Sequence, residues 1–282
     1  MSHLASVGFQ RSEGDAKELI STAVDRATEV VEHADGKTAT YRDPSGATLT
    51  VHLSDEGDLH CVKPGFEGDS RARWRPVAVT RDPECRFCDF VCAELLEEDE
   101  PVYPFVLSVV TIGAERALIP YGEPGDVRFT GLWENGELWQ DEEAFRKAEE
   151  AEWGDVEVPE ALRDEIPAFR GWASRSLIPV GAFVEPGSMT PHVIAHGIVS
   201  SVEERRNELG GATFRLVRLD TLGGVFDVCL APGSLEREEL LGPGAVARAT
   251  LWLVGRPITL RKEPGPVPAL ERRSLLRRLF RR

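Results

Sequence analysis

The chain lacks the features that mark secreted and membrane proteins. Its five cysteines are an odd number for a disulfide framework, and a chain of 282 residues is long enough to build a core without one. The longest nearly apolar run, residues 104–114, is far shorter than the roughly 18–20 residues of a transmembrane helix. Residues 1–10 have no cationic segment followed by an apolar one, so no secretory signal is visible. We therefore expect a cytoplasmic protein with reduced thiols.

Catalytic motifs are missing too. The sequence contains no Gly-x-Ser-x-Gly elbow and no phosphate-binding loop of the Walker type. The glycine pairs at 210–211 and 223–224 are turn glycines, because neither opens a helix after a strand. Adjacent acidic residues are numerous, but in polar runs they are typical of a solvated face. No catalytic residue is assigned, and we expect a non-catalytic protein while leaving enzymatic activity open.

Charge is distributed unevenly along the chain. Asp and Glu number 48 against 33 Lys and Arg, which gives a formal net charge of -15. A surface with this acidic excess repels phosphate backbones unless basic residues are segregated from it. Basic residues are concentrated at the end of the sequence, where residues 261–282 contain eight basic and two acidic residues. The sequence thus predicts an acidic body with a basic tail.

A helix packed on a sheet is predicted in residues 1–55. Asp15 and Glu18 have the spacing of a capping box, and small or aliphatic residues then recur at the spacing of one helix face. Residues 37–41 and 48–53 are predicted as two strands, joined by the turn formers Asp-Pro-Ser-Gly. A helix over a hairpin is typical of α+β proteins.

The element order in this region resembles one βαβββ module of the vicinal-oxygen-chelate (glyoxalase-like) superfamily, with a strand at 4–9, the helix, a short strand at 29–31 and the hairpin. The resemblance implies a glyoxalase-like enzyme or a small-ligand binder, with His3 matching the metal-binding histidine of the first strand. The family places an acidic ligand on the last strand, but residues 49–51 here are Leu, Thr and Val. One ligand is therefore absent, and no second module follows residue 70.

More strands and one acidic helix are predicted in the middle of the chain. Acidic residues dominate from 134 to 165, where a solvated helix is expected near 141–152. The Pro-Gly-Ser run at 186–188 marks a boundary. Apolar, β-branched runs that favour strands lie at 76–80, 105–112, 117–121 and 127–132.

The pattern is sharpest after residue 192. Three strands are followed by a short helix, with Ser234 as its candidate N-cap, and by a fourth strand. With Gly197 in the first strand and a glycine pair between the second and third, this order resembles an OB-fold barrel, in which a strand glycine permits the sharp coil needed for closure. The fifth strand of such a barrel has to come from 257–261 or from elsewhere. The four strands span 193–202, 213–219, 225–230 and 246–254.

At roughly 150 residues per domain, the length of the chain suits about two folding units. The sequence pattern divides the chain into these two units, a connector and a tail. The predicted fold class is α+β, with an N-terminal α/β sandwich-like sheet domain followed by a C-terminal OB-like β-barrel. The regions are an α+β domain at 1–133, an acidic helical and loop connector at 134–188, the OB-like β-barrel at 189–262, and a Pro-rich linker with a basic amphipathic tail at 263–282.

Cys85, Cys88 and Cys92 are weak candidates for a metal site. A Cys-x-x-Cys pair suits one zinc ion or a redox dithiol. A structural zinc site takes four ligands, however, and His60 and Cys61 lie upstream without the usual ligand spacing. Buried structural thiols are the simpler interpretation. No cofactor is therefore predicted, and zinc is left open.

The predicted barrel carries a candidate nucleic-acid face. Such barrels bind single strands by stacking bases on exposed aromatic side chains beside basic residues. The alternative is that the aromatic residues fill a small barrel while the arginines offset acidic surroundings. The residues concerned are Phe214, Arg215, Arg218, Arg248 and Trp252.

The tail is the clearest amphipathic element of the sequence. As a helix, residues 272–282 place leucines and a phenylalanine on one side and arginines around the rest, after a stiff Pro-rich linker. Such a helix suits a protein partner or an anionic membrane surface, while nucleic acid, the acidic body of this chain and a second copy in a homo-oligomer are alternatives. The candidate binding residues are Arg272, Arg273, Leu276, Arg277, Arg278 and Phe280.

These features predict a non-catalytic binding or scaffold protein whose tail recruits a partner or a membrane surface. The first alternative is a single-stranded nucleic-acid-binding OB-fold protein, whose binding would depend on salt and on the arginines of the candidate face. The second is a glyoxalase-like enzyme or small-ligand binder in the N-terminal domain.

Overall fold

The computed structural model describes residues 3–9, 16–33, 36–82, 85–110, 115–153, 171–180 and 189–268. Strands dominate this part of the chain, so the protein is β-rich and the term α+β describes it only loosely. The helices are α1 (His3–Ser6), α2 (Ala16–Asp25), α3 (Glu115–Leu118) and α4 (Glu142–Trp153), with a 3₁₀ turn at Glu238–Leu240.

A four-stranded antiparallel sheet follows α2. Its strands, paired in chain order, are β1 (Glu29–His33), β2 (Gly36–Arg42), β3 (Ala47–Leu53) and β4 (Leu59–Phe66). The β2–β3 turn is formed as predicted, because the Asp43 carboxylate accepts hydrogen bonds from Ser45 and Gly46 adopts a φ of +93°. Helix α2 contributes Leu19 and Ala23 to the core beneath this sheet, which confirms the predicted helix over a hairpin.

A second, nine-stranded sheet contains the remaining strands. Their order in the sheet is β11-β12-β8-β5-β6-β7-β13-β10-β9, with additional pairings of β11 with β10 and of β8 with β13. The strands are β5 (Arg71–Asp82), β6 (Cys85–Glu97), β7 (Glu100–Val110), β8 (Gly125–Trp139), β9 (Ser176–Ile178), β10 (His192–Arg206), β11 (Thr213–Thr221), β12 (Gly224–Leu230) and β13 (Val246–Pro257). The predicted C-terminal strands are thus confirmed.

The nine-stranded sheet uses one order of elements twice. β5, β6 and β7 pair antiparallel in succession and are followed by α3 and the long strand β8. β10, β11 and β12 do the same and are followed by the 3₁₀ turn and the long strand β13. Each long strand pairs antiparallel with the first strand of its own half and parallel with the third strand of the other half. The last strand of each half therefore pairs with both halves of the sheet.

These pairings close two five-strand rings. The first ring is β5, β6, β7, β13 and β8, and the second ring is β10, β11, β12, β8 and β13. The larger hydrophobic core belongs to the rings and includes Trp74, Phe129 and Phe226. The fifth strand, which completes a ring with the four C-terminal strands, is β8 and not residues 257–261. The sequence pattern did not indicate β8.

The large sheet is continuous across the predicted regions of the chain. β8 passes through the predicted boundary between residues 133 and 134. It pairs with β13 along one edge, and with β5 and then β12 along the other edge. Helix α4 confirms the acidic helix predicted after this boundary, and its own Phe145 is buried. The tail residues 272–282 lie outside the described part of the chain.

Two predicted strands are helical turns instead. Residues 4–9 include α1, whose Ser6 hydroxyl donates a hydrogen bond to the Trp133 carbonyl. Residues 117–121 include the end of α3, after which Ile119 is buried in the larger core. A short apolar run satisfies its need for burial equally well as a helix or a strand, so its pattern does not discriminate between them.

Candidate functional site

A cavity of about 370 Å³, the central cavity, lies between the four-stranded sheet and the two rings. One wall comes from β1 to β4, and the other comes from β7, β8, β10 and β13. Apolar lining is provided by Phe66, Leu132, Trp252 and Val254. Charged and hydroxyl groups are concentrated at defined points along the same walls, and they are described in turn below.

A carboxylate that holds two histidines lies at one end of the cavity. Glu134 accepts hydrogen bonds from His3 Nε2 at 2.9 Å and from His192 Nε2 at 3.2 Å. Both imidazole rings also pack on Trp252, with centroid distances of 5.1 and 4.8 Å. Trp133 and Asn135 pair with consecutive residues of β13, so Glu134 is the extra residue of a β-bulge. Bulges redirect side chains, which explains how a strand residue reaches both histidines.

The implied metal role of His3 has no counterpart in this arrangement. His3 lies on α1, not on a first strand, and its ring nitrogen is bonded to Glu134. His192 and His196 lie four residues apart on β10, but His196 is only 1% exposed and hydrogen-bonds Ser176 through Nδ1. Burial, with the nearby charge of Arg248, lowers the pKa of His196 to about 4. His196 is therefore a neutral core residue.

The opposite part of the cavity carries a network of two arginines and two glutamates. Arg42 contacts Glu29 at 2.6 Å and Glu67 at 3.0 Å, while Arg256 contacts Glu67 at 2.9 Å. Burial raises the pKa of Glu67, but hydrogen bonds and charge from Arg42 and Arg256 outweigh this and lower it below its ordinary value. These four charges compensate one another.

Two further cations line the cavity, and they differ in their partners. Lys63 pairs with the buried carboxylate of Asp82 at 2.8 Å. Arg128 has no carboxylate partner among the described residues, and its Nε is buried without a hydrogen bond. A half-buried guanidinium without a counter-ion attracts an anion strongly, because the surrounding protein screens charge less than water does. Among the described residues, Arg128 is thus the arginine or lysine of the cavity that lacks a carboxylate partner.

A second constellation, the cysteine–histidine cluster, consists of His52, Cys61, Cys85 and Cys88. Their ligand atoms all lie within 4.8 Å of one another. His52 and Cys61 face each other across β3 and β4, and Cys85 and Cys88 are on β6. The Cys61 and Cys85 sulfurs are in bonding contact, and Cys88 Sγ lies 3.0 Å from Cys85 Sγ and 3.9 Å from His52 Nε2. These four residues could hold a metal ion.

The cluster contains two of the three cysteines that the sequence offered as metal candidates. Cys85 and Cys88 belong to it, but Cys92 lies 3.5 Å from the Met189 sulfur in a separate apolar patch. Burial raises the pKa of the Cys92 thiol to about 12, so this residue is an inert core thiol. From the sequence, His52 was not considered and Cys61 was set aside for its spacing, because only the packing of the small sheet on β6 brings these two residues to the Cys-x-x-Cys pair.

The residues of the candidate nucleic-acid face are dispersed. Phe214 is fully buried and packs edge-to-face on Phe66, and Trp252 lines the cavity. Every arginine of the set has an acidic partner: Arg215 pairs with Glu238, Arg218 with Asp227, and Arg248 with Glu137, Glu149 and Glu152. Nucleic-acid binding stays a prediction, as does recruitment by the tail residues Arg272, Arg273, Leu276, Arg277, Arg278 and Phe280, which lie outside the described part of the chain.

No protein-family model, curated protein or solved structure matches the chain. None of the helices in the described ranges has the length and apolar content required to span a bilayer. What the protein does must therefore be inferred from the chemistry of the cavity and of the cysteine–histidine cluster.

Proposed function

We propose that the protein is a non-catalytic binding protein that takes a small anionic molecule with a planar apolar part into the central cavity. The observation that carries this proposal is the guanidinium of Arg128, which lines the cavity without a carboxylate partner among the described residues. The other cations of the cavity, Arg42, Lys63 and Arg256, are each paired with a carboxylate. A bound anion would give the Arg128 guanidinium the counter-ion that it lacks among the described residues.

The apolar part of the ligand follows from the other lining residues. Trp252 presents a large aromatic surface beside Leu132 and Val254. His3, His192 and Glu134 hold one another and brace the Trp252 ring, so this wall is organised before a ligand arrives. A cavity of about 370 Å³ with apolar walls and a few fixed polar groups matches the usual character of small-molecule sites.

We also infer that the two five-strand rings are OB-like barrels that share their two long strands. Each contains three consecutive antiparallel strands closed by two long strands, which suits a five-stranded Greek-key barrel. Gly197 supports strong coiling of β10, since a Cβ at this position would lie 2.5 Å from the Leu219 side chain and 2.9 Å from the Asp220 carbonyl oxygen. The predicted barrel is then one of a fused pair.

Two probes that share one aromatic scaffold test the ligand chemistry. 8-Anilinonaphthalene-1-sulfonate carries a sulfonate, and N-phenyl-1-naphthylamine is its uncharged counterpart. Charge-assisted hydrogen bonds contribute about 1.5–3 kcal/mol, so Arg128→Gln should weaken the sulfonate probe at least about tenfold. The same variant should leave the uncharged probe within about twofold of the unmodified protein, as measured by fluorescence titration.

Two further variants control for location and for general loss of charge. Trp252→Leu should weaken both probes, because both use the aromatic wall. Arg146→Gln, in an exposed ion-pair set on α4, should change neither. Equal binding of the sulfonate probe to the unmodified protein and Arg128→Gln would overturn the proposal, as would equal weakening of both probes by Arg128→Gln.

A further inference from the structure

The cysteine–histidine cluster joins two separate sheets at one point. His52 and Cys61 belong to the four-stranded sheet, and Cys85 and Cys88 belong to β6 of the first ring. Cys85 and Cys88 are buried, as is His52, and Cys61 is partly buried. Three sulfurs and one imidazole nitrogen within 4.8 Å of one another form the Cys₃His ligand set of structural zinc sites.

The orientation of His52 fits this role. Its Nδ1 shares a hydrogen bond with the Thr38 hydroxyl at 2.7 Å, and its Nε2 faces the sulfurs, 3.9 Å from Cys88 Sγ. The Thr38 hydroxyl in turn contacts His33 Nε2 at 2.8 Å. Metal-bound histidines are characteristically held through their second nitrogen in this way, which fixes both the tautomer and the ring direction.

A disulfide between Cys61 and Cys85 explains only half of the cluster. Such a bond uses two of the three sulfurs and leaves Cys88 and His52 outside the covalent link, with Cys88 Sγ 3.9 Å from His52 Nε2. A metal ion uses all four ligands. The four-ligand arrangement therefore accounts for more of the geometry than the bond between one pair of sulfurs.

We propose that His52, Cys61, Cys85 and Cys88 bind one Zn²⁺ ion in a tetrahedral site that fastens the four-stranded sheet to the first ring. Binding to the reduced protein forms three Zn–S bonds and one Zn–N bond and releases three thiol protons to solvent. Lys63, two residues after Cys61 on β4, lines the cavity, so the ion also fixes one edge of the cavity wall. The site does not depend on what the cavity binds.

The test is metal analysis of the full-length chain, expressed with zinc in the medium and purified without chelator under reducing conditions. We expect one zinc per chain in the unmodified protein. Cys88→Ser and His52→Gln should each lose most of the metal. Cys92→Ser is the matched control, because Cys92 is an equally buried β6 thiol outside the cluster, and it should retain one zinc per chain.

A second measurement uses only the unmodified protein and so does not depend on the folding of any variant. Zinc-free protein reduced with a phosphine should take up one Co²⁺ per chain and develop the intense visible absorption of tetrahedral cobalt thiolate, which one equivalent of Zn²⁺ should abolish. Reduced protein that binds neither ion would overturn the proposal. A count of three rather than five free thiols in denatured protein that was never exposed to a reductant would then assign Cys61 and Cys85 to a disulfide. Loss of metal from Cys92→Ser equal to that from Cys88→Ser would also overturn the proposal.

Discussion

The four-stranded sheet contacts the two rings by different means. Against the second ring it packs apolar side chains, with Phe66 on Phe214 at a centroid distance of 6.0 Å. The Asp43 carboxylate adds hydrogen bonds from the backbone amides of Glu208 and Leu209. Against the first ring the sheet instead presents the cysteine–histidine cluster and the Lys63–Asp82 pair.

This difference shows how one repeated scaffold supports two kinds of contact. A contact built on apolar burial is stabilised by removing surface from water and needs no additional ligand. A contact built on thiols, imidazole and a buried ion pair is stable only when each of those groups is satisfied. The cavity lies beside both contacts, so its shape depends on the apolar contact and on the polar one.

Breaking the apolar contact should have the largest effect. Phe214→Ala removes a fully buried ring, and we expect the free energy of unfolding to fall by about 3–5 kcal/mol. Urea denaturation measures this loss. Zinc content should not change, because Phe214 is not part of the cluster.

Leu222→Ala is the matched control for this prediction. Leu222 is 59% exposed, so its truncation should change the free energy of unfolding by less than about 0.5 kcal/mol. A loss below about 1 kcal/mol for Phe214→Ala would show that the sheet does not depend on this contact.

Breaking the ion pair of the polar contact should have a smaller effect. Asp82→Asn leaves Lys63 without its buried counter-ion, and since Lys63 is partly exposed we expect a loss of about 1–3 kcal/mol. Asp99→Asn removes one of the two exposed acidic partners of Arg73 and should cost less than about 1 kcal/mol.

A double-mutant cycle sharpens this prediction. Lys63→Met should destabilise the unmodified protein more than it destabilises Asp82→Asn, and the coupling should exceed about 0.5 kcal/mol in thermal or urea denaturation. Additive effects would mean that the two side chains do not support each other.

Periodicity and turn chemistry predicted the elements that are stabilised locally. Helix α2, the β2–β3 hairpin and the C-terminal strands follow from spacing, capping and turn residues within each segment. The sharing of β8 and β13 by the two rings could not be predicted, because neighbouring residues in the sequence do not reveal which distant strand completes a ring. The strands predicted at residues 4–9 and 117–121 were wrong, because a short apolar run is compatible with a helix as well as with a strand.

The candidate sites were only partly visible in the sequence. The Cys85–Cys88 spacing indicated a thiol pair, whereas His52 and Cys61 join it only through the packing of two sheets. Glu134 reaches the histidines because of a bulge, and Arg128 stands out because it lacks a partner among the described residues. Neither property is encoded in a local motif.

Hydrogen exchange of the full chain with and without zinc tests the comparison between the two contacts most directly. Removal of zinc by a chelator under reducing conditions should increase exchange around His52, Cys61 and the start of β6. Protection at the contact of Asp43 with Glu208 and Leu209 should persist. Unchanged exchange, or a loss of protection spread evenly over both contacts, would contradict a metal-dependent contact with the first ring.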